Sequence, residues 1–152
     1  MRYARALGIA GALALTLAAC GGSKSSTAPT PTAINLTGTW SGNLTFENVS
    51  GVMTWTLNQS GNSVTGPVLV SLPNGIVLLN GTLSGTLSGT LLTYTIAVAP
   101  GGLPTEPSCS GQLAGTVTVT VASPSRLAGS YSVKSTNCRT SISGGSFTLT
   151  QH

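Results

Sequence analysis

The segment TWSGNLTF, residues 39–46, alternates bulky apolar side chains with small polar ones. Alternation with a period of two is typical of a β-strand that buries one face and exposes the other to water. Trp40, Leu44 and Phe46 would share the buried face, and Gly42 lies between them in the same register. Glycine weakens a strand and often marks a point where the backbone bends or approaches a neighbour closely. The segment therefore predicts a half-buried, sharply curved strand.

The spacing apolar-x-Gly-x-apolar recurs along the chain. Among its occurrences are VTGPV, LSGTL, LAGTV and LAGSY at residues 64–68, 83–87, 113–117 and 127–131. Each glycine would lie on the apolar face, where the absence of a Cβ lets a strand coil and approach its neighbour. We expect these glycines to supply the curvature of a closed sheet. The alternative is a general bias toward small residues with no role in curvature.

Alternating segments continue to the end of the chain, and helical spacing of apolar residues is absent. Clusters rich in Gly, Pro, Asn and Ser separate eight predicted strands, centred near residues 43, 55, 67, 81, 95, 116, 130 and 148. Most connections are short enough for hairpins. We therefore predict an all-β fold, an eight-stranded antiparallel up-and-down barrel, with a β-sandwich as the alternative.

The inner face of this barrel is predicted to be almost wholly apolar. Eight strands enclose a space that side chains just fill or that holds one small ligand. Bulky inner side chains favour a filled core, whereas the glycines favour space near one end. In a ligand pocket, Trp40 would form the floor, and Trp55, Tyr94 and Tyr131 would form the walls. The inner residues are predicted to be Trp40, Leu44, Phe46, Met53, Trp55, Leu57, Tyr94, Ile96, Val117, Val119, Tyr131, Val133, Phe147 and Leu149.

One predicted strand begins with a segment that is apolar on both faces, IVLLN at residues 76–80. A contiguous apolar surface of this kind is normally covered. We expect the long connection PGGLPTEPS, residues 100–108, or a partner protein to cover it.

The amino terminus has the layout of a secretory signal peptide. Arg2 and Arg5 precede an apolar run over residues 6–17, which ends in small residues. That run is shorter than the roughly 20 residues that a membrane-spanning helix needs. Residues 1–19 are therefore predicted to be a signal peptide.

Leu17-Ala18-Ala19-Cys20 resembles the lipobox of bacterial lipoproteins. The resemblance implies a diacylglyceryl group on the Cys20 thiol and cleavage before Cys20, and an ordinary signal peptide is the alternative. Two acyl chains anchor a protein stably in a membrane. Residues 20–33 would then form the lipidated cysteine and a flexible tether, and residues 34–152 the barrel domain. Gly21 is not the aspartate that retains many Gram-negative lipoproteins in the inner membrane, so we expect the outer membrane or the cell surface.

The two remaining cysteines, Cys109 and Cys138, form an even pair. Outside the cytoplasm such a pair predicts a disulfide. Together with His152 they would be too few ligands, at no recognised spacing, for a structural metal site. We expect neither a metal nor a cofactor.

The segment LTGTW, residues 36–40, resembles the first strand of calycin-type barrels, the lipocalins and avidins. In both families a Gly-x-Trp opens the barrel and the tryptophan plugs its closed end, which implies that role for Gly38 and Trp40. Arg139 is a candidate for the lipocalin arginine that packs on this tryptophan. The chain contains no aspartate and has Ser41 after Trp40, so biotin binding is not implied. The chain is also similar to Ser/Thr/Gly-rich bacterial lipoproteins of uncharacterised type.

Charged residues make up 5% of the chain, and its net charge is +4. No basic stripe is present, which argues against nucleic-acid binding. The few candidates for acid–base chemistry are His152, Glu47 and Glu106, of which the two glutamates lie in predicted turns. We therefore expect no enzyme.

Two functions remain open at this point. The first is a lipid-anchored envelope protein whose barrel binds a small apolar ligand. The second is a structural or protein-interaction lipoprotein with a filled barrel core. A sizeable cavity, above about 300 Å³, would favour the first function.

Overall fold

The computed structural model describes residues 33–46, 49–121, 125–139 and 143–152, without the side chains of residues 45, 46 and 49. The predicted signal peptide, Cys20, the tether as far as residue 32, and Glu47 lie outside the described residues. So does the side chain of Phe46, which we expected on the inner face.

Eight antiparallel strands form a closed barrel in which each strand pairs with its neighbours in sequence. This arrangement confirms the predicted up-and-down barrel, and the strand centres lie close to the predicted ones. In the described ranges there is no helix long and apolar enough to cross a membrane. The strands are β1 (Gly38–Phe46), β2 (Val49–Ser60), β3 (Ser63–Ser71), β4 (Val77–Ser88), β5 (Leu91–Val98), β6 (Gly111–Thr120), β7 (Arg126–Thr136) and β8 (Gly145–Gln151).

The first and last strands close the barrel. In the β1–β8 register, Trp40 lies opposite Gln151 and Leu44 lies opposite Phe147. The backbone N–H of His152 extends the ladder by donating to the carbonyl oxygen of Thr39, at 3.0 Å. Closure pairs β1 with β8, so these two strands do not form the open edges of a sheet.

Inward-facing glycines lie where neighbouring strands approach most closely. A Cβ on Gly42 would fall on the carbonyl oxygen of Thr148, and a Cβ on Gly115 would fall on that of Ser130. Only a residue without a side chain permits this approach, so the expected close approach at these glycines is confirmed, and their role in the curvature of the sheet stays a prediction. Gly66, Gly85 and Gly129 lie in the same way against the carbonyl oxygens of Thr56, Thr93 and Thr116.

The barrel interior is the hydrophobic core. Every described side chain that we expected on the inner face is buried, apart from Val133, which is partly buried and packs against the core. Among the described residues, the buried side chains are apolar, except that tyrosine and tryptophan each carry one polar group. The interior therefore offers an apolar environment.

Gly115→Ala tests the close approach of the strands. The added methyl would meet the Ser130 carbonyl oxygen and would lie 2.9 Å from the Tyr94 hydroxyl oxygen, so the strands must separate. We expect a loss of about 3 kcal/mol in the free energy of unfolding, measured by urea denaturation. Gly51→Ala is the control, because its methyl would lie 3.1 Å from the Ser71 carbonyl oxygen. Equal losses in the two variants would contradict this account of the curvature.

Candidate functional site: the barrel interior and its two covered ends

The segment before β1 plugs one end of the barrel. Leu36 and Trp40 are fully buried there, and the Trp40 Nε1–H donates to the Leu36 carbonyl oxygen at 2.8 Å. The indole thus holds the plug by a hydrogen bond as well as by packing.

Gln59, near the end of β2, ties this plug to the barrel wall. Its Oε1 accepts from the Leu36 backbone N–H at 2.7 Å, and its Nε2 donates to the carbonyl oxygens of Ile34 and Gly61, both at 3.0 Å. The Gln59 backbone N–H also donates to Thr37 Oγ1 at 3.1 Å. Sequence reasoning missed this role, because a glutamine beside a predicted turn carries no signal of the backbone groups that it will meet.

Three aromatic rings occupy the middle of the barrel. The Trp55 ring centroid lies 5.1 Å from that of Tyr94 and 5.0 Å from that of Phe147, and the Tyr94 and Phe147 centroids are 6.3 Å apart. All three pairs are edge-to-face, the geometry that aromatic quadrupoles favour. We call Trp55, Tyr94 and Phe147 the aromatic cluster. Phe147 was expected on the inner face but was not assigned to the pocket.

The four residues predicted to form a pocket are all buried on the inner face. Trp40 lies opposite Trp55 in the β1–β2 register, and the Tyr94 hydroxyl donates to the Ser130 carbonyl oxygen at 3.0 Å. The Trp55 Nε1–H has no acceptor among the described residues, although Trp55 is 0% exposed. An unpaired buried donor costs about 1–3 kcal/mol.

Both inner tyrosines are neutral near pH 7. Burial raises the pKa of Tyr94, and the nearby Tyr131 raises it further. Burial also raises the pKa of Tyr131. The two phenols therefore act as hydrogen-bond donors and not as bases. Since their folded-state pKa values lie above the ordinary value near 10, their burial favours folding below about pH 10, and this contribution is lost as the pH rises through those values.

The opposite end of the barrel, which we call the mouth, is covered by residues 99–110 between β5 and β6. Leu103, 8% exposed, packs into the core from this connection, and the Asn80 backbone N–H donates to the Gly102 carbonyl oxygen at 2.7 Å. The expected cover over residues 76–80 is thus confirmed as the chain's own loop. Ile76, at the start of that segment, stays 56% exposed.

The predicted disulfide between Cys109 and Cys138 is confirmed, with the two Cα atoms 4.7 Å apart. It joins the covering loop to the connection between β7 and β8. Ser110 and Asn137 reinforce the link: the Ser110 N–H donates to Asn137 Oδ1 at 2.7 Å and the Asn137 N–H to the Ser110 carbonyl oxygen at 3.1 Å. One side of the loop is therefore held firmly.

Two spaces lie beside this loop. A void of about 10 Å³ lies beneath Leu103, too small for more than about one water molecule. An open groove of about 450 Å³ lies outside the wall. The void is bordered by Leu79, Val98, Leu103, Gly111, Gln112, Leu113, Val133, Ser135, Thr136 and Cys138, and the groove by Ala97, Val98, Ser110, Gly111, Gln112, Ser135, Thr136 and Asn137.

Arg139 does not take the place of the lipocalin arginine. It is exposed in the connection after β7, at the mouth, whereas Trp40 lies at the plugged end. Its backbone N–H donates to Glu106 Oε2 at 2.7 Å. The correction follows from topology, because the β7–β8 connection of an up-and-down barrel lies at the end opposite to the start of β1. Glu106 is accordingly a partner within the loop region and not a freely solvated turn residue.

His152 lies on the outer wall, where its Nε2 and the Ser41 hydroxyl share a hydrogen bond of 2.7 Å. Its backbone N–H also extends the β1–β8 ladder. No cluster of three or more His, Cys, Asp or Glu that could hold a metal ion occurs in the part of the chain that the structure describes.

Comparisons with known proteins give no match, either to the models of protein families or to the curated protein sequences.

Gln59→Ala tests the attachment of the plug. The Leu36 N–H and the Ile34 carbonyl oxygen would lose their partners, so we expect a loss of about 2 kcal/mol in the free energy of unfolding. Hydrogen exchange at the Leu36 amide should rise as well. Asn58→Ala, an exposed neighbour on β2, is the control and should change neither measurement. Unchanged exchange at Leu36 in the Gln59 variant would contradict the assignment.

Proposed function

We propose that the protein is a lipid-anchored protein of the cell envelope whose barrel binds a small apolar molecule at its mouth. The observation that carries this proposal is the loop over residues 99–110, which seats Leu103 above an apolar void. Ligand pockets are concave and mostly apolar, with a few polar groups at the rim. The void has an apolar lining, and the groove outside the wall adds polar groups from Gln112, Ser135 and Asn137. The void of about 10 Å³ lies far below the size of about 300 Å³ that we expected of a ligand cavity, so the proposed site needs the loop to move.

The aromatic cluster restricts where such a ligand binds. Its rings lie in edge-to-face contact at 5.0–6.3 Å between centroids, so they fill the middle of the barrel. Trp40 and Tyr131, with the cluster, then form a packed floor instead of the walls of a deep pocket. The ligand site proposed here lies above that floor, at the mouth.

The proposed anchor rests on Cys20 and the apolar run before it. The disulfide between Cys109 and Cys138 suits a location outside the cytoplasm, where such bonds persist. We therefore place the protein in the cell envelope, on the periplasmic face of the outer membrane or at the cell surface. The proposal includes no catalysis, no cofactor and no nucleic acid.

A structural or protein-interaction role with a filled barrel is the second candidate. The aromatic cluster and the covers at both ends favour it, because they leave little space inside. The outer wall also offers uncharged hydrogen-bonding groups to a partner. Serine and threonine positions stand opposite one another across six consecutive strands: Ser63, Thr86, Thr93, Thr116, Ser130 and Ser146.

Cys20→Ser tests the anchor. The variant lacks the thiol that would carry the diacylglyceryl group, so we expect complete loss of metabolic labelling by a palmitate analogue and release from the membrane fraction. Ser23→Ala, three residues further on, is the control and should label as the unmodified chain does. A wild-type chain that takes up no label would refute the anchor.

Native mass spectrometry of the purified full chain tests the ligand. We expect a co-purifying small apolar molecule, which organic solvent removes and which 1-decanoylglycerol replaces at one molecule per chain. If only the mass of the chain itself is found, both before and after titration with this probe, the filled barrel with an interaction role is favoured. The anchor experiment is independent of this outcome.

A further inference from the structure

We propose that residues 99–110 are a lid, hinged at the disulfide and latched at Gly102, over a site for a single-chain amphiphile with an uncharged headgroup. This inference rests on the proposed function and names its ligand class and its gate. It is carried by the unequal attachments of the loop and by the apolar and uncharged polar residues that border the void and the groove.

The lid is a compact unit held by its own backbone. Its ends lie close together, as in the Ω-loops that often carry function. A segment with this internal bonding can swing as one piece instead of unravelling. Its internal hydrogen bonds run from the N–H of Gly101 to the carbonyl oxygen of Pro107 (2.7 Å), Gly102 to Ala99 (2.8 Å), Glu106 to Leu103 (3.0 Å) and Cys109 to Glu106 (2.8 Å).

The two sides of the lid are attached unequally. Toward β7 and β8 it is held by the disulfide, by both Ser110–Asn137 hydrogen bonds and by the Glu106 carboxylate. Toward β4, within the described residues, one backbone hydrogen bond joins Asn80 to Gly102, beside the packed side chain of Leu103. Opening therefore releases the β4 side and leaves the disulfide side as the hinge.

The latch closes a gap between two strands. Pairing of β4 with β5 begins at Thr82 and Ala97, so residues 77–81 have no partner on the β5 strand. In this gap the Gly102 carbonyl oxygen accepts a hydrogen bond from the Asn80 N–H, and this hydrogen bond is the latch. When the latch opens, the gap becomes a lateral entrance to the space beneath Leu103.

Once Leu103 is displaced, the space beneath the lid would admit the end of one unbranched alkyl chain. Leu79, Val98 and Leu113 border it, and Leu103 occupies its upper part. A ligand that displaced Leu103 would gain the volume of that side chain. The aromatic cluster limits the depth, which excludes a large fused ring but admits the end of a flexible chain.

The adjoining groove suits an uncharged, hydroxyl-bearing headgroup. Gln112 and Ser135 lie opposite each other in the β6–β7 register and border both the groove and the void. Amide and hydroxyl groups donate to and accept from a polyol. No lining residue of the groove is charged, so a carboxylate or phosphate would lose water there without gaining a cation.

Two variants of the full chain open the lid by different means. A Cβ at residue 102 would lie 2.6 Å from the Asn80 carbonyl oxygen and 2.7 Å from Val98 Cγ1, so Gly102→Ala forces the latch apart. Leu103→Ala removes the side chain that fills the site. Thr105→Ala is the matched control, because Thr105 is exposed on the same loop. Far-UV circular dichroism establishes that each variant is folded.

The probe is 1-decanoylglycerol below its critical micelle concentration, with decanoate as the charged comparison. Because a lid reduces the fraction of binding-competent protein, we expect each opening variant to bind the probe about tenfold faster than the wild type and the Thr105 variant, measured by stopped-flow calorimetry or fluorescence. Decanoate should bind at least about tenfold more weakly than the probe, a difference of about 1.4 kcal/mol.

Three outcomes would each overturn a stated part of the proposal. Equal association rates in the wild type and both opening variants would refute the lid while leaving the proposed function intact. Binding of decanoate as tightly as the probe would refute the uncharged headgroup. Absence of binding in every folded variant would refute the ligand site and the proposed function together. Binding confined to the opening variants would support the gate.

Discussion

The close approach of neighbouring strands at inward-facing glycines is the constraint on which the rest of the structure depends. At Gly42 the β1 backbone lies against the Thr148 carbonyl oxygen of β8, where the sheet closes on itself. A side chain at this position would hold the two strands apart. Without closure, the N–H and C=O groups of β1 and β8 would form exposed edges, and the inner side chains would lose their shared core. The inward-facing glycines thus allow the sheet to close into a barrel.

Much of the fold could be predicted from the sequence because burial follows the period of two so closely. The inner residues of each strand, such as Trp55 and Leu57, fall at alternate positions as predicted. The connections occur at the expected turn residues. Register shifts between Val70 and Ser71 and between Gln112 and Leu113 interrupt the regular pairing, and Leu78 and Lys134 are the extra residues there. Alternation alone gives no sign of such a bulge, because the extra residue changes which face follows it.

The candidate site was predictable only in part. The inner aromatic residues could be found because strand parity places them, and the disulfide because two cysteines remained in an oxidising setting. The groups that cover the ends could not be found in this way. Gln59 meets Leu36 at 23 residues' separation and Glu106 meets Arg139 at 33, and each contact depends on which connections share an end of the finished barrel. Leu103 likewise appears as one apolar residue in a proline-rich loop until the mouth beneath it exists.

The two ends of the barrel differ in how they are held, and this difference bears on function. The plugged end combines the Trp40–Leu36 hydrogen bond with two side-chain hydrogen bonds from Gln59 to Ile34 and Leu36. The mouth has a covalent attachment on one side and, within the described residues, one backbone hydrogen bond to β4 on the other. Regions with few attachments open at lower free energy than the core, and binding sites are drawn from them. The proposed lid can therefore open at the mouth without breaking the hydrogen bonds that hold the plugged end.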